Sequence, residues 1–212
     1  SAHDEFVAGA LYTDSFTATS SDGTSRLVTV TITGRNDIAS LGSDAGFITE
    51  TDLSQAIGGS LTLTDPDAVA ASVVAQSDTL GTYGHFSIDA SGTWTYATAG
   101  ALDALAAGQV VSDVFNVATT DGGSATVTIT LTGRNDAPTV ASPIAGQRGT
   151  QDSAFRFTLP AGSFADVDSG DSLGYSATGL PAWISFDAAT RTFSGTPANA
   201  DVGRVSITVT AT

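Results

Sequence analysis

The 212-residue sequence predicts an all-β protein made of tandem β-sandwich modules. Threonine alternates with aliphatic residues in several short runs, which is the period-two pattern of a half-buried strand. Asp-Gly pairs interrupt such runs, and a long internal repeat ends twice in the same pentapeptide, TGRND. The one helical-looking stretch, residues 101–107, is short and flanked by glycine, so it predicts no more than a turn.

The internal repeat sets the length of a module. The run YTDSFTATSSDGTSRLVTVTITGRND at residues 12–37 aligns with VSDVFNVATTDGGSATVTITLTGRND at residues 111–136, at a constant offset of 99 residues. This offset is about the length of one β-sandwich domain, so it predicts a tandem array.

Each copy of the repeat predicts a β-hairpin. Aliphatic residues alternate with threonine in the second strand of each copy, at Val28, Val30 and Ile32 and again at Val127, Ile129 and Leu131. We therefore expect one buried face and one threonine face exposed to water in both copies. The runs SDG and TDGG between the strands are the expected hairpin turns, because Asp and Gly tolerate positive φ.

Further strand candidates lie between the copies and after them. The runs GFIT, GSLTLT, GHFSID and GTWTYAT are short and separated by turn residues. After Asp136 the sequence changes character, and a third segment ends in another alternating run with Val205, Ile207 and Val209.

These observations predict three segments. Residues 1–37 are the C-terminal strands of a preceding repeat, residues 38–136 are a complete module, and residues 137–212 are a module that lacks its last strand. An isolated hairpin is marginally stable in water, and an open sheet edge invites pairing. We therefore hypothesise that the N-terminal hairpin fills the open edge of the third module, in the same or a neighbouring molecule.

The composition excludes several classes of function. The chain has 22 acidic and 7 basic residues and a formal charge of −15, which argues against a nucleic-acid partner. Only two of the acids are glutamate, so nearly all the negative charge is on aspartate, which favours turns and supplies oxygen to hard cations. No cysteine is present, and the longest aliphatic run is too short for membrane insertion.

Two stretches resemble known families. The stretch from Gly46 to Asp136, with TLTDPDA, YGHFSIDASGTWTYAT and TDGGSATVTITLTGRNDAP, resembles the VCBS repeats of giant bacterial adhesins, which are similar to calcium-dependent RTX adhesins exported by type I secretion. The third segment, with FADVDSGDSLGYSATGLPAWISFDAATRTFSGTP, is similar to the dystroglycan-type cadherin-like domain, an Ig-like domain.

The resemblance implies an all-β chain of tandem cadherin/Ig-like β-sandwich modules with Ca²⁺ at the module junctions. It also implies an adhesive or stalk region that is extracellular, at the bacterial cell surface. The implied partners are the neighbouring modules of the same chain and a cell-surface glycan or protein.

The spacing of aspartates indicates where calcium would bind. Asp37 is followed by Asp65 and Asp67, and Asp136 is followed at nearly the same distance by an equivalent Asp-x-Asp pair. Calcium takes six to eight oxygen ligands, which a junction can collect from two modules. The arrangement resembles the cadherin pattern of an Asn-Asp linker and a later Asp-x-Asp. The ligands implied are Asn36, Asp37, Asp65 and Asp67 at the first junction and Asn135, Asp136, Asp166 and Asp168 at the second.

Three further acids are candidate ligands, namely Glu50 in the complete module and Asp152 and Asp171 in the third. The alternative interpretation is that all these aspartates only cap turns and contact water.

An enzyme and a carbohydrate-binding module are the two alternatives to this interpretation. Only His3 and His85 could act as imidazole bases. The sequence has neither a Gly-x-Ser-x-Gly elbow nor a phosphate-binding glycine loop. We therefore expect the protein to have no enzymatic activity. Carbohydrate binding is the stronger alternative, through the aromatic residues Trp94, Tyr96 and Trp183. The alternation around them favours positions in the core over an exposed sugar platform.

Overall fold

The computed structural model describes residues 6–67 and 71–212, and these residues form a nearly all-β structure, as predicted. The strands are β1 (Leu11–Thr19), β2 (Ser25–Thr33), β3 (Ser40–Leu41), β4 (Asp44–Thr49), β5 (Ala56–Ser60), β6 (Leu63–Thr64), β7 (Gln76–Leu80), β8 (Gly84–Ile88), β9 (Thr93–Thr98), β10 (Val110–Ala118), β11 (Ser124–Thr132), β12 (Thr139–Val140), β13 (Phe155–Thr158), β14 (Phe164–Ala165), β15 (Tyr175–Thr178), β16 (Ile184–Asp187), β17 (Thr192–Gly195) and β18 (Thr208–Ala211). One 3₁₀ turn spans Asn199–Asp201.

The chain divides into two compact units. Unit 1 comprises residues 1–102 and 110–132, and unit 2 comprises residues 103–109 and 133–212. Within the described ranges, no helix has the length and apolar character needed to cross a membrane.

Unit 1 contains a β-sandwich. An antiparallel sheet in the order β5-β9-β8-β7 faces a sheet in the order β10-β11-β4, in which β4 runs parallel to β11. Side chains from both sheets form one core, which includes Phe86, Trp94, Phe115, Val127 and Ile129. The four strand candidates predicted between the copies coincide with parts of β4, β5 and β6, β8 and β9.

The predicted alternation is confirmed in the second copy of the repeat. Val127, Ile129 and Leu131 of β11 are buried, whereas the threonines between them are half exposed. The turn before this strand is also as predicted, because Gly122 has φ = 103°. Gly23 takes the same part in the first copy, with φ = 90°.

The first copy departs from the prediction of a buried face. Strands β1 and β2 pair in the expected register, but Phe16 is 58% exposed and Val30 is 45% exposed. Among the described residues these two strands hydrogen-bond only with each other, so no second sheet covers their apolar face. The pairing of this hairpin with the third module, in the same or a neighbouring molecule, stays a prediction.

Unit 2 is assembled from smaller sheets. Strands β13-β17-β16 form one antiparallel sheet, β15 pairs with β18, and β12 pairs with β14. The core consists of Leu159, Ile184 and Phe193 with partly buried aromatic residues around them. Of the predicted alternating run, Ile207 and Val209 pack on this core, whereas Val205 precedes β18 and is exposed.

The aromatic residues proposed as a sugar platform lie in the cores. Trp94 and Tyr96 are buried, which confirms the core interpretation for both. The Trp94 indole N–H donates to the carboxylate of Asp44 at 2.9 Å. Trp183 is half buried and packs edge-to-face on Phe155, with ring centroids 5.9 Å apart.

A buried carboxylate stabilises the centre of unit 1. Asp113 accepts hydrogen bonds from the Tyr96 hydroxyl (2.8 Å) and from the backbone N–H groups of Thr82 (2.7 Å) and Tyr83 (3.0 Å). Burial, together with the hydrogen bond to Asp113 and its charge, raises the pKa of Tyr96 above its ordinary value. The Tyr96 hydroxyl therefore keeps its proton at neutral pH and donates it to Asp113.

Replacing Tyr96 with Phe should lower the free energy of unfolding by about 1–3 kcal/mol, because a buried carboxylate loses one of its donors. Urea unfolding followed by tryptophan fluorescence measures the difference. Tyr83→Phe, at a partly buried tyrosine of the same core, is the control, and an equal loss in both variants would contradict the proposed role of the hydroxyl.

Candidate metal centres

The glycine of the repeated pentapeptide TGRND has no room for a side chain. A Cβ atom on Gly34 would lie 2.3 Å from the carbonyl oxygen of Val7, and one on Gly133 would lie 2.3 Å from that of Leu105. Neither glycine has a positive φ. The close approach of a neighbouring backbone, and not a positive φ, is therefore the reason for glycine at these two positions.

The segment that precedes the first strand of each hairpin is hydrogen-bonded to the glycine that follows the second strand. The N–H of Gly133 donates to the carbonyl of Gln109 (2.8 Å), and the N–H of Gly108 donates to the carbonyl of Gly133 (3.0 Å). Gly34 makes the equivalent pair of bonds with Ala10 and Gly9. The structural repeat thus extends upstream of the repeat found in the sequence.

The Asn-Asp pair of the first copy lies against the Asp-x-Asp pair that follows it. The N–H of Asp37 donates to Oδ2 of Asp67 (2.8 Å), and the N–H of Asp67 donates to Oδ1 of Asp65 (2.9 Å). The Asn36 side-chain amide donates to the carbonyl of Asp37 (2.8 Å), which leaves its oxygen available as a ligand.

The second copy repeats this pattern in a differently built module. The N–H of Asp136 donates to Oδ2 of Asp168 (2.9 Å), the N–H of Asp168 donates to Oδ1 of Asp166 (3.0 Å), and the Asn135 amide donates to the carbonyl of Asp136 (2.5 Å). The structure therefore brings together all four residues that the sequence assigns to each junction. We call these groups the first and the second Asp cluster.

One carboxylate oxygen in each Asp cluster is buried without a donor. Asp67 is 7% exposed and Asp168 is 5% exposed. Within residues 6–67 and 71–212, the Oδ1 atoms of both have no hydrogen-bond partner. A buried oxygen of this kind costs free energy unless a proton donor or a cation satisfies it.

Asp103 is a site residue that the sequence interpretation missed. Its carboxylate oxygen lies within 4.8 Å of that of Asp136. The N–H of Ser169 donates to the carbonyl of Ala104 (3.2 Å), which joins this segment to the Asp-x-Asp loop. The offset of 99 residues could have indicated Asp103, because it aligns with Asp4, which lies outside the described residues.

The remaining candidates differ in their positions. Glu50 follows β4, is buried, and donates its backbone N–H to the carbonyl of Thr132 (2.9 Å), four residues before Asp136. Asp171 is exposed and joins the loop through its backbone N–H, which donates to the carbonyl of Asp168 (3.4 Å). Asp152 lies in an exposed turn with φ = 59°, as the turn interpretation expects.

The chemistry of the Asp clusters fits a hard divalent cation. Every donor atom offered is an oxygen, from carboxylates, Asn amides or backbone carbonyls, and sulfur and imidazole ligands are absent from both clusters. A cation would satisfy the buried Oδ1 atoms of Asp67 and Asp168 and reduce the repulsion between neighbouring carboxylates. The residues present therefore fit Ca²⁺.

Comparison with known families agrees with this fold. Residues 36–133 match the family described as "Bacterial cadherin-like domain". Residues 137–212 match the family described as "Putative Ig domain". Each match covers less than half of the chain, and together they agree with a fold of tandem cadherin-like and Ig-like β-sandwich modules.

Solved structures with similar folds include cadherins. Drosophila N-cadherin EC1-4 is similar over 97% of this chain and 57% of that chain, with 17% identity and a TM-score of 0.50. Protocadherin gammaB7 EC3-6, solved as a cis-dimer, is similar over 94% and 54%, with 17% identity and a TM-score of 0.49. At these identities the likeness concerns the fold alone.

An endo-fucoidan hydrolase of glycoside hydrolase family 107 is similar over 96% of this chain and 32% of its own, with 22% identity and a TM-score of 0.33. The present chain therefore spans only about a third to somewhat over half of these solved chains. No curated protein matches it.

Gly133→Ala should lower the free energy of unfolding by about 1–3 kcal/mol, because the added carbon meets a backbone carbonyl that cannot move freely. Gly146→Ala is the control, since nothing lies within 4 Å of the added carbon. That change should leave the stability unchanged or raise it by up to about 1 kcal/mol. Thermal unfolding followed by circular dichroism tests both, and a harmless Gly133→Ala would contradict the packing explanation.

Proposed function

We propose that the chain is a non-enzymatic, calcium-binding segment of a large secreted or cell-surface bacterial adhesin, stiffened by Ca²⁺ at its module junctions. The observation that carries this proposal is the recurrence of one Asp cluster, with the same three hydrogen bonds and the same buried carboxylate oxygen, in two differently built modules. Turn capping alone explains the hydrogen bonds, but it does not explain buried Oδ1 atoms for which the described residues supply no donor.

The proposed ligands of the first ion come from the first Asp cluster, through the carboxylates of Asp37, Asp65 and Asp67 and the amide oxygen of Asn36. Asp65 also orients Asp67. Its Oδ1 accepts the N–H of Asp67 and so fixes the loop that carries the buried Oδ1 of Asp67.

The proposed ligands of the second ion are Asn135, Asp136, Asp166 and Asp168, with Asp103 as an additional carboxylate. Glu50, which the sequence offers as an additional ligand, stays a candidate on the ground of its burial directly after β4. Asp171 remains a weaker candidate, since it is exposed.

The proposed effect of calcium is mechanical. Without the ion, the carboxylates of an Asp cluster repel one another, and the chain already carries a formal charge of −15. With the ion, linker and loop are cross-linked through shared ligands, so the hinge between modules loses freedom. A stiff, extended array suits a role in holding an adhesive region away from the cell.

The VCBS and RTX resemblance of residues 46–136, with export by type I secretion, supports the adhesin context. The family match of residues 36–133 to a bacterial cadherin-like domain agrees with it. Neighbouring modules of the same chain are the first proposed partners, and a cell-surface glycan or protein is the proposed target.

Calcium should raise the melting temperature of the full chain relative to chelator-treated protein. Free Ca²⁺ at 100 times the dissociation constant contributes about 2.7 kcal/mol, which corresponds to a shift of about 5–10 °C for a chain of this size. Differential scanning calorimetry and small-angle scattering measure the two effects, with Mg²⁺ as the control ion. An unchanged melting curve together with an unchanged scattering profile would contradict the proposal.

Substitutions of the two buried aspartates test the two proposed ion sites separately. Asp67→Asn and Asp168→Asn should each remove one Ca²⁺ from the stoichiometry measured by calorimetric titration, because each removes a ligand charge at one Asp cluster. The chelated forms should be no less stable than the chelated wild type, since repulsion within the cluster falls. Asp152→Asn, in a turn that tolerates either residue, is the matched control and should bind calcium as the wild type does.

A further inference from the structure

The β-sandwich of unit 1 holds strands from its two ends side by side. Strand β4 pairs in parallel with β11 over six residue pairs, which join Asp44–Thr49 to Val127–Thr132. The N–H of Glu50 extends this ladder by donating to the carbonyl of Thr132 (2.9 Å). The linker after the first TGRND leads towards β4, and β11 leads into the second TGRND. The two ends of the sandwich are therefore bonded directly to each other.

The parallel direction of this pair decides how it responds to tension. A pull along the chain acts on the first residue of β4 and on the last residue of β11. In a parallel pair these two points lie at opposite ends of the ladder, so the strands must slide past each other and every bond is stretched at once. A pull on two points at the same end breaks the bonds one after another. Forced unfolding is governed by the unfolding rate, so the first arrangement withstands tension for longer.

The residue at which tension enters the sandwich is bound to the turn between β10 and β11. Ala39 is 3% exposed, and its N–H donates to Oδ2 of Asp121 at 2.6 Å. A Cβ atom on Gly123 would collide with the carbonyl oxygen of Ala39, so the turn lies directly against this residue. The hydroxyl of Thr119 donates to Oδ1 of Asp121. The Thr119 hydroxyl and the Ala39 N–H lower the pKa of Asp121, so this carboxylate is ionised at neutral pH.

We propose that Asp121 carries tension in this protein, by fastening the incoming chain to the β4–β11 pair so that the pair resists a pull along the chain. Its bond to Ala39 must break before β4 can slide along β11, because Asp121 lies in the turn that leads into β11. A hydrogen bond to an ionised acceptor is about twice as strong as one between neutral groups. The carboxylate therefore stabilises the end of the ladder at which the pull begins.

This inference rests on the proposed function only for the source of the tension, since a segment of a cell-surface adhesin is pulled when its target is held. It concerns a different property from the calcium sites. Ca²⁺ is proposed to stiffen the hinge between modules, whereas Asp121 keeps one sandwich folded while it is pulled. The measurements below use one calcium concentration, so a failed calcium titration and a failed pulling experiment are separate results.

Single-molecule force spectroscopy, with the full chain held by its two ends, measures the unfolding rate at constant force. Unfolding of the sandwich is identified by the length of chain that residues 39–132 release, about 300 Å. Asp121→Ala should raise this rate by about tenfold, because a bond to a charged acceptor is lost. Asp121→Asn, which keeps an acceptor oxygen without the charge, should give a smaller increase.

Asp89→Ala is the matched control. The Asp89 carboxylate also accepts backbone N–H groups in a turn, from Ser91 (2.9 Å) and Thr93 (3.0 Å), but this turn joins β8 and β9 in the opposite sheet. The variant should lower the stability measured by urea unfolding about as much as Asp121→Ala does, and it should leave the unfolding rate under force unchanged. An equal rise of that rate in both variants would indicate general destabilisation and contradict a special role of Asp121.

The pulling points can be chosen freely, because the sequence contains no cysteine. Ile38→Cys and Ser124→Cys, at two exposed positions, place both handles at the same end of the β4–β11 pair. The bonds should then break one after another, and the sandwich should unfold at least about tenfold faster than when the chain is held by its ends. Equal rates for the two pairs of pulling points would overturn the proposal. If circular dichroism shows that Asp121→Ala is unfolded, Asp121→Asn and the two pulling directions decide.

Discussion

The backbone N–H of the linker aspartate, bound to the carboxylate of the following Asp-x-Asp pair, is the contact on which the candidate sites depend. It links Asp136 to Asp168 and Asp37 to Asp67 at nearly the same distance. One oxygen of the acceptor carboxylate is used by this bond, and the other is turned into a buried space. The backbone therefore decides where the candidate ligand oxygen points.

The glycine in each copy of TGRND also positions the linker. Because a backbone carbonyl approaches Gly133 too closely for a side chain, the segment before β10 lies against the linker and brings Asp103 within reach of Asp136. A structural requirement of packing thus supplies an extra carboxylate. Some of the acidic residues of the chain, such as Asp103 and Asp136, are therefore grouped at one place and are not only dispersed surface charge.

Much of the fold could be predicted because its determinants are local. Period-two alternation located β11, and Asp-Gly pairs located the turns at Gly23 and Gly122. The exposure of Val30 could not be predicted, since burial depends on whether another sheet covers the strand. Asp103 escaped for a related reason, because its neighbour Asp136 is more than thirty residues away and a close approach of backbone joins them.

The second Asp cluster has a consequence for how such proteins change over evolutionary time. Its linker residues and its Asp-x-Asp loop use the same bonds as the first cluster, although the modules that follow the two linkers match different families. The linker and the Asp-x-Asp loop thus make the same backbone bonds after both copies of TGRND, although two different modules follow them. Gene duplication and recombination can then lengthen or reorder the array without redesigning a joint.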